Sequence, residues 1–248
     1  MSRYFLEISY KGTAYSGFQT QENSVTVQSE LEKAIAVLQR EQVSLTGSSR
    51  TDAGVHALQN YFHFDFPGEL HPQFVYKLNA ILPADIVLHK LIRVGEEAHS
   101  RFDAESREYK YFIYRSKDPF LQDRAYYYPY QLDMERMQAA AAILPEYQDF
   151  TSFSKRNTQV KTFQCRLELS EWKQEGSCLV YHVRGNRFLR GMVRALTATM
   201  LKVGRGKISL DEFRAIIEAR DCTKASFAVP PHGLFLLRVH YPDAYFQI

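Results

Sequence analysis

One segment of this 248-residue chain is too polar and too rich in glycine to be a core element: Gly47-Ser48-Ser49-Arg50-Thr51-Asp52-Ala53-Gly54-Val55-His56. Gly47 and Gly54 permit positive φ or close backbone approach. Between them stand one cation, Arg50, and one acid, Asp52. Such a pair can simply close a turn. Asp52 is also the one carboxylate of the segment, and a positioned carboxylate can act as a nucleophile. Other candidate chemistry is thinner. His56 and His63 could begin a metal site, but no acid or cysteine completes a ligand set. Asp103 and Glu105 could imitate a glycosidase carboxylate pair, but two residues apart on a loop they are expected to face solvent. Cys165, Cys178 and Cys222 are widely spaced and include no Cys-x-x-Cys pair, so neither zinc nor a disulfide framework is expected.

The formal net charge is only +3, with a pI of about 8.6, yet the charge is unevenly spread. From Arg184 to Lys207 there are seven Lys or Arg and no acid, and residues 152–167 hold four more basic residues and again no acid. On a helix expected over residues 188–203, at about 100° per residue, Arg187, Arg190 and Arg194 fall within a roughly 60° arc. Phe188, Leu189, Met192, Val193, Leu196 and Met200 occupy the other side. An acid-free stripe opposite an apolar one points to phosphate binding. Tyr109 opens an aromatic strand with Tyr111 and Ile113 on the same face; by itself such a tyrosine is ordinary core packing.

Strand and helix patterns surround these groups. Strands are expected over residues 4–10, 43–46, 61–66, 86–94, 109–114 and 234–241, with a hairpin of 163–172 and 179–184 around Gln174-Glu175-Gly176-Ser177. Helices are expected from the Thr26 N-cap to about Arg40, over 74–81 up to Pro83, and over 133–144, 188–203 and 210–219. Strand–helix–strand units occur in both halves, so the expected class is α+β with two similar lobes. The apolar periodicity breaks near Ala104 to Ser106, which predicts lobes at residues 1–104 and 105–248.

Hydrophobic residues make up 45% and charged residues 24%, and with 17 Phe and 16 Tyr the chain is neither disordered nor fibrous. No apolar run approaches the roughly 20 residues that span a bilayer. Glu7 interrupts the opening apolar run, so no signal peptide is expected and a cytoplasmic location is.

The string from Arg50 to Ala57 resembles the signature of the TruA-type tRNA pseudouridine synthases. The likeness continues in matching order over nearly the whole chain. It takes in residues 10–19, Thr26-Val27-Gln28, residues 78–86, residues 99–104, and Arg107-Glu108-Tyr109-Lys110-Tyr111. It resumes at residues 149–153, at 188–194 and at 230–237. The resemblance implies an isomerase that converts uridine to pseudouridine at positions 38, 39 or 40 of the tRNA anticodon stem-loop. The reaction breaks the C1′–N1 bond, turns the uracil and joins C5 to C1′. It involves no redox change and no hydrolysis, so no metal or organic cofactor is implied.

By the same resemblance Asp52 is the catalytic carboxylate, whether it attacks the base or C1′ or acts through a glycal. Arg194 keeps it ionised, because a guanidinium offsets the effect of burial and RNA phosphates. Tyr109 stacks on the uracil. Arg50 fills the space left when the uridine is flipped out of its stem. The implied architecture is two lobes sharing a mainly antiparallel sheet, helices on one side, a basic cleft between lobes, and a homodimer whose tRNA spans both subunits. Two other function classes fit less well. A non-catalytic RNA-binding module would not need Asp52, Tyr109 and Arg194, and an N-glycosidase would need a water-activating group that the sequence does not offer. The chain departs from the family pattern at Ser48 and Ser49, where Ala and Gly are usual, at Phe18 for Trp, and at Arg190 for Tyr or His. These sites bear on how base and tRNA are gripped.

Overall fold

The computed structural model describes residues 1–156, 160–243 and 245–246. The chain is α+β, with five α-helices and nine strands among the described residues. It divides into two compact units, Met1–Glu105 with Leu236–Ile248, and Ser106–Phe235. The closing segment therefore belongs with the first unit, whereas the sequence pattern counts it with the second lobe.

In the first unit, strand β1 (Ser2–Tyr10) lies antiparallel between β3 (His56–Phe66) and β4 (Ile86–Val94). On the side of β3 away from β1, a two-residue strand, β2 (Thr46–Gly47), and the closing strand β9 (Leu234–His240) both pair with it. Phe5, Leu6 and Ile8 of β1 are fully buried, so both faces of its middle are covered. That explains the imperfect alternation in sequence: a strand buried on both faces has no polar side to display. Helix α1 (Val27–Gln39) starts at a capping box, in which Thr26 and Ser29 satisfy each other's backbone N–H groups. It buries Val27, Leu31, Ala34 and Ile35 and ends where Arg40 turns left-handed. Helix α2 (Phe74–Ile81) ends just before Pro83.

The expected strand over 43–46 shrinks to Thr46–Gly47. The reason is local. The Leu45 N–H donates to the Glu32 carboxylate and the Leu45 carbonyl accepts from the Gln28 amide, so side chains of α1 satisfy the backbone that a strand partner would otherwise bond. β3 begins five residues earlier than the aromatic run suggests, at His56, inside the signature segment.

In the second unit, β8 (Cys178–Gly185) lies between β5 (Ser106–Tyr114) and β7 (Leu167–Glu175), all antiparallel, while the short β6 (Tyr126–Tyr127) runs parallel to β5. β7 starts later than expected because residues before it bond elsewhere: the Cys165 N–H donates to the Gln148 carbonyl, and the Phe163 carbonyl accepts from Phe150. Helices α3 (Met134–Ile143), α4 (Met192–Gly204) and α5 (Leu210–Glu218) complete the unit.

Helix α4 corrects the reading of the basic face. It starts at Met192, not Phe188, and eleven of its thirteen residues are buried. A helix apolar nearly all round is a central element rather than an amphipathic surface helix. Gly191 blocks an earlier start. Its φ of +74° is left-handed, and the Arg190 carbonyl before it accepts the Lys155 N–H at 3.0 Å instead of a helical one. Arg187 and Arg190 thus lie on the turn before the helix, and the shared arc with Arg194 does not form.

His63 of β3 makes the first unit sensitive to acid. Its ring is buried, and its Nδ1 accepts the Ser100 N–H at 3.2 Å. Burial, with the neighbouring His99 and Arg3, lowers its pKa to about 4. The unfolded chain takes up this proton near the ordinary value of about 6.5, while the folded chain resists until about 4. The His63 contribution is therefore complete above about 6.5 and is lost as pH falls toward 4. Urea unfolding from pH 7 to 4 should show a steeper loss of stability in the wild type than in His63→Gln; parallel curves would refute this.

Candidate active site

The signature segment is held from behind by the turn that follows β1. The Tyr10 hydroxyl bonds the Thr51 hydroxyl at 2.8 Å, and the Phe18 N–H donates to the Thr51 carbonyl at 3.1 Å. Asn60, fully buried on β3, donates to the Ser49 carbonyl at 2.8 Å and to the Tyr10 hydroxyl at 3.3 Å. The Gly12 N–H donates to His56 Nδ1 at 3.0 Å, which assigns that nitrogen a structural task. Across the loop itself, the Val55 N–H closes a turn onto the Asp52 carbonyl at 3.1 Å. Consequently Ser48, Ser49 and Thr51 are buried, Asp52 is half-buried and Arg50 is exposed.

Two glycines make this backing possible. A Cβ on Gly12 would lie 1.9 Å from the Val55 carbonyl oxygen, inside any permissible contact. Gly17 has a φ of +105°, and a Cβ there would lie 3.2 Å from the Thr51 carbonyl oxygen. Gly47 serves the departure at position 18: the Phe18 ring stacks on Phe62 at 4.3 Å and occupies the space a Gly47 side chain would need.

The remaining expected residues lie in the second unit. Tyr109 sits on β5 opposite Val183, 8% exposed, with its ring edge-on to Phe188 at 5.0 Å. Tyr111, two residues on, is fully buried and donates its hydroxyl to the Pro230 carbonyl at 2.7 Å. Burial raises the pKa of that hydroxyl, and the nearby Arg194 opposes the rise. Arg194 occupies the first turn of α4, where Nε and Nη2 donate to the Val229 carbonyl at 3.1 and 2.7 Å. Its planar fork is thereby fixed in orientation.

Arg187 is half-buried, close enough to Cys165 for its charge to counter the burial that pushes that thiol up to about 11. Arg190 is exposed. One loop thus brings Arg50 and Asp52 together, and Tyr109, Tyr111 and Arg194 share the second unit. Arg187 and Arg190 share a turn with each other but not a helix with Arg194.

Several positioning residues escape a sequence reading. Asn60 is an uncharged polar residue entering an aromatic strand, a signal that it must bond something inside. Val229 and Pro230 act only through backbone carbonyls, which no side-chain pattern reveals. Gly233 is packed so tightly that an added Cβ would lie 2.8 Å from the Tyr111 ring. What the arrangement offers chemically is a carboxylate on a loop whose backbone is already ordered, the condition for catalysis without a reorganisation cost.

A family model described as tRNA pseudouridine synthase matches residues 8–103 and 147–242. Relatives called tRNA pseudouridine synthase A are similar over the full chain. That of Parabacteroides distasonis is 46% identical over 250 residues, covering 100% of this chain and 99% of its own. That of Bacteroides fragilis is 45% identical with the same coverage, and that of Bacillus subtilis is 39% identical over 95% of this chain and 98% of its own.

The packing behind the loop predicts a contrast between glycines. Gly12→Ala must displace backbone and should cost about 2 kcal/mol or more, as overpacking does. Gly95→Ala, with nothing within 4 Å of the new Cβ, should change stability by less than about 0.5 kcal/mol. Denaturant midpoints of the two variants check this; equal values would mean the loop moves freely on its support.

Proposed function

This chain belongs to the tRNA pseudouridine synthase family, and from that premise we propose that it isomerises uridine at positions 38, 39 or 40 of the tRNA anticodon stem-loop, with Asp52 as the nucleophile. It is an isomerase. The observation that carries the finer reading is the half-buried Asp52 on a loop whose backbone is bonded from beneath at Ser49 and Thr51.

Catalysis needs one ionised carboxylate and a uridine taken out of its stem. In this reading the Asp52 carboxylate forms the covalent bond that lets C1′–N1 break. The uracil turns, C5 bonds to C1′, the bond to Asp52 breaks and returns its carboxylate, and the proton leaving C5 is balanced by one gained at N1. No oxidant, water or cofactor enters the balance. Arg194 supplies the positive charge that favours ionised Asp52. Tyr109 stacks on the uracil, a contact worth about 1–3 kcal/mol for an unstacked base. Arg50, exposed two residues before Asp52, fills the vacated stack. Arg187 and Arg190 contact phosphate from the turn before α4. The protein works on tRNA in the cytoplasm as a homodimer. Among the described residues no helix is long and apolar enough to cross a membrane.

Two experiments test this. With tRNA carrying tritium at uridine C5, Asp52→Asn should bind normally and release less than about a thousandth of the wild-type label per unit time; a greater release would remove Asp52 from the nucleophile's role. The second separates the arginines. Arg187→Gln and Arg190→Gln should weaken binding of any tRNA alike and lower the slope of log affinity against log salt by about one each. Arg194→Gln should lower turnover far more than affinity, because in this reading its charge serves the reacting carboxylate rather than phosphate. If Arg194→Gln shifts only affinity and salt slope, it is a phosphate clamp and the pairing is wrong.

A further inference from the structure

The motif at residues 99–104 has no role in the chemistry above, yet it builds an unusual surface. Phe102 is 75% exposed, in a unit whose Phe5, Phe18 and Phe62 are at most 1% exposed. Leaving a phenylalanine in water forgoes the stabilisation that burial would bring, so its position needs a cause. The loop that presents it is not loose. The His99 Nδ1 accepts the backbone N–H groups of Arg101 and Phe102 at 3.1 and 3.3 Å, and the Asp103 carboxylate accepts the His99 N–H at 2.7 Å. Ser100 is fully buried and bonds His63 at 2.8 Å and the Thr46 carbonyl at 3.0 Å.

This rigid turn thrusts one aromatic face outward and supports it from behind. The His99 ring lies 4.2 Å from the Phe102 ring, and the Arg101 guanidinium lies 5.8 Å from its centre. The ring borders an open cleft of about 230 Å³ whose lining includes Arg50, Arg101, Gln28 and Gly47, and no acidic residue. An aromatic face backed by a second ring, flanked by two guanidinium groups and free of carboxylates in its cleft, matches a nucleobase with its phosphate.

We propose that Phe102 is a stacking platform for an unpaired base of the RNA substrate other than the reacting uridine, with Arg101 meeting the phosphate of that nucleotide. Arg50 lines the cleft two residues from Asp52, so the platform selects which nucleotide accompanies the uridine into the site. The proposal rests on the RNA-modifying function proposed above.

The test uses the full chain and an anticodon stem-loop RNA, intact or carrying a single abasic nucleotide at each loop position in turn. Phe102→Ala should weaken binding of the intact RNA about 5- to 100-fold, and Phe102→Trp should restore it to within about threefold. One abasic position should weaken wild-type binding by a similar factor and make Phe102→Ala no worse than wild type. Phe120→Ala, a ring 79% exposed elsewhere on the chain, should bind normally. Binding by Phe102→Ala within twofold of wild type overturns the platform. So does an equal loss in Phe120→Ala, a loss unaltered by every abasic substitution, or a change of oligomeric state at unchanged RNA affinity. Tritium release by the wild type is measured alongside. Wild-type turnover with unaffected Phe102→Ala binding sinks the platform alone. Base-specific Phe102 dependence without turnover sinks the proposed isomerisation of this RNA and leaves the platform standing.

Discussion

The first unit depends on one close approach: the backbone at Gly12 lies against the Val55 carbonyl, nearer than any side chain would permit. That contact lets the turn after β1 lie flat beneath the signature loop. Tyr10, Phe18 and Asn60 then bond the loop from below. The Ser49 and Thr51 carbonyls, drawn away from water, each gain a donor from this support. Thr51 is thereby buried between an exposed Arg50 and a half-buried Asp52.

The second unit solves a different problem. Arg194 carries a permanent charge on a helix that is otherwise almost wholly buried. Its guanidinium is partly withdrawn from water, and the Val229 carbonyl offsets this by accepting two hydrogen bonds from it. The next residue, Pro230, accepts from Tyr111, and Gly233 lets that ring pack against the chain. One short stretch, residues 229–233, therefore orients both the arginine and the core tyrosine. Gly191 performs the complementary task. Its left-handed conformation ends the preceding turn and starts α4 at Met192, which separates the exposed Arg190 from Arg194.

The same economy of backbone acceptors shapes the turn at residues 99–104. There a single imidazole nitrogen gathers two N–H groups and a buried serine ties the turn to β2 and β3. A loop so restrained can hold an apolar ring in water because the alternative, folding it inward, would break those bonds.

Much of this was legible in the amino-acid sequence. The capping box at Thr26, the helix bounded by Pro83, the strand over 86–94 and the signature from Arg50 to Ala57 are local patterns. Local patterns report backbone preference and residue chemistry directly, and they sufficed for the family and its reaction. What the sequence could not determine was anything that depends on a partner distant along the chain. The strand expected over 43–46 shortens to its end because Gln28 and Glu32 reach the backbone of Leu45. The basic arc of Arg187, Arg190 and Arg194 fails because periodicity counts residues without seeing that Gly191 is left-handed and that Lys155 has claimed the Arg190 carbonyl. The last strand joins the first unit from Leu236 onward although 130 residues, Ser106 to Phe235, intervene. Helical periodicity and residue type are properties of neighbours in sequence, whereas hydrogen-bond partners and close packing are decided between neighbours in space, and only the tertiary structure settles those.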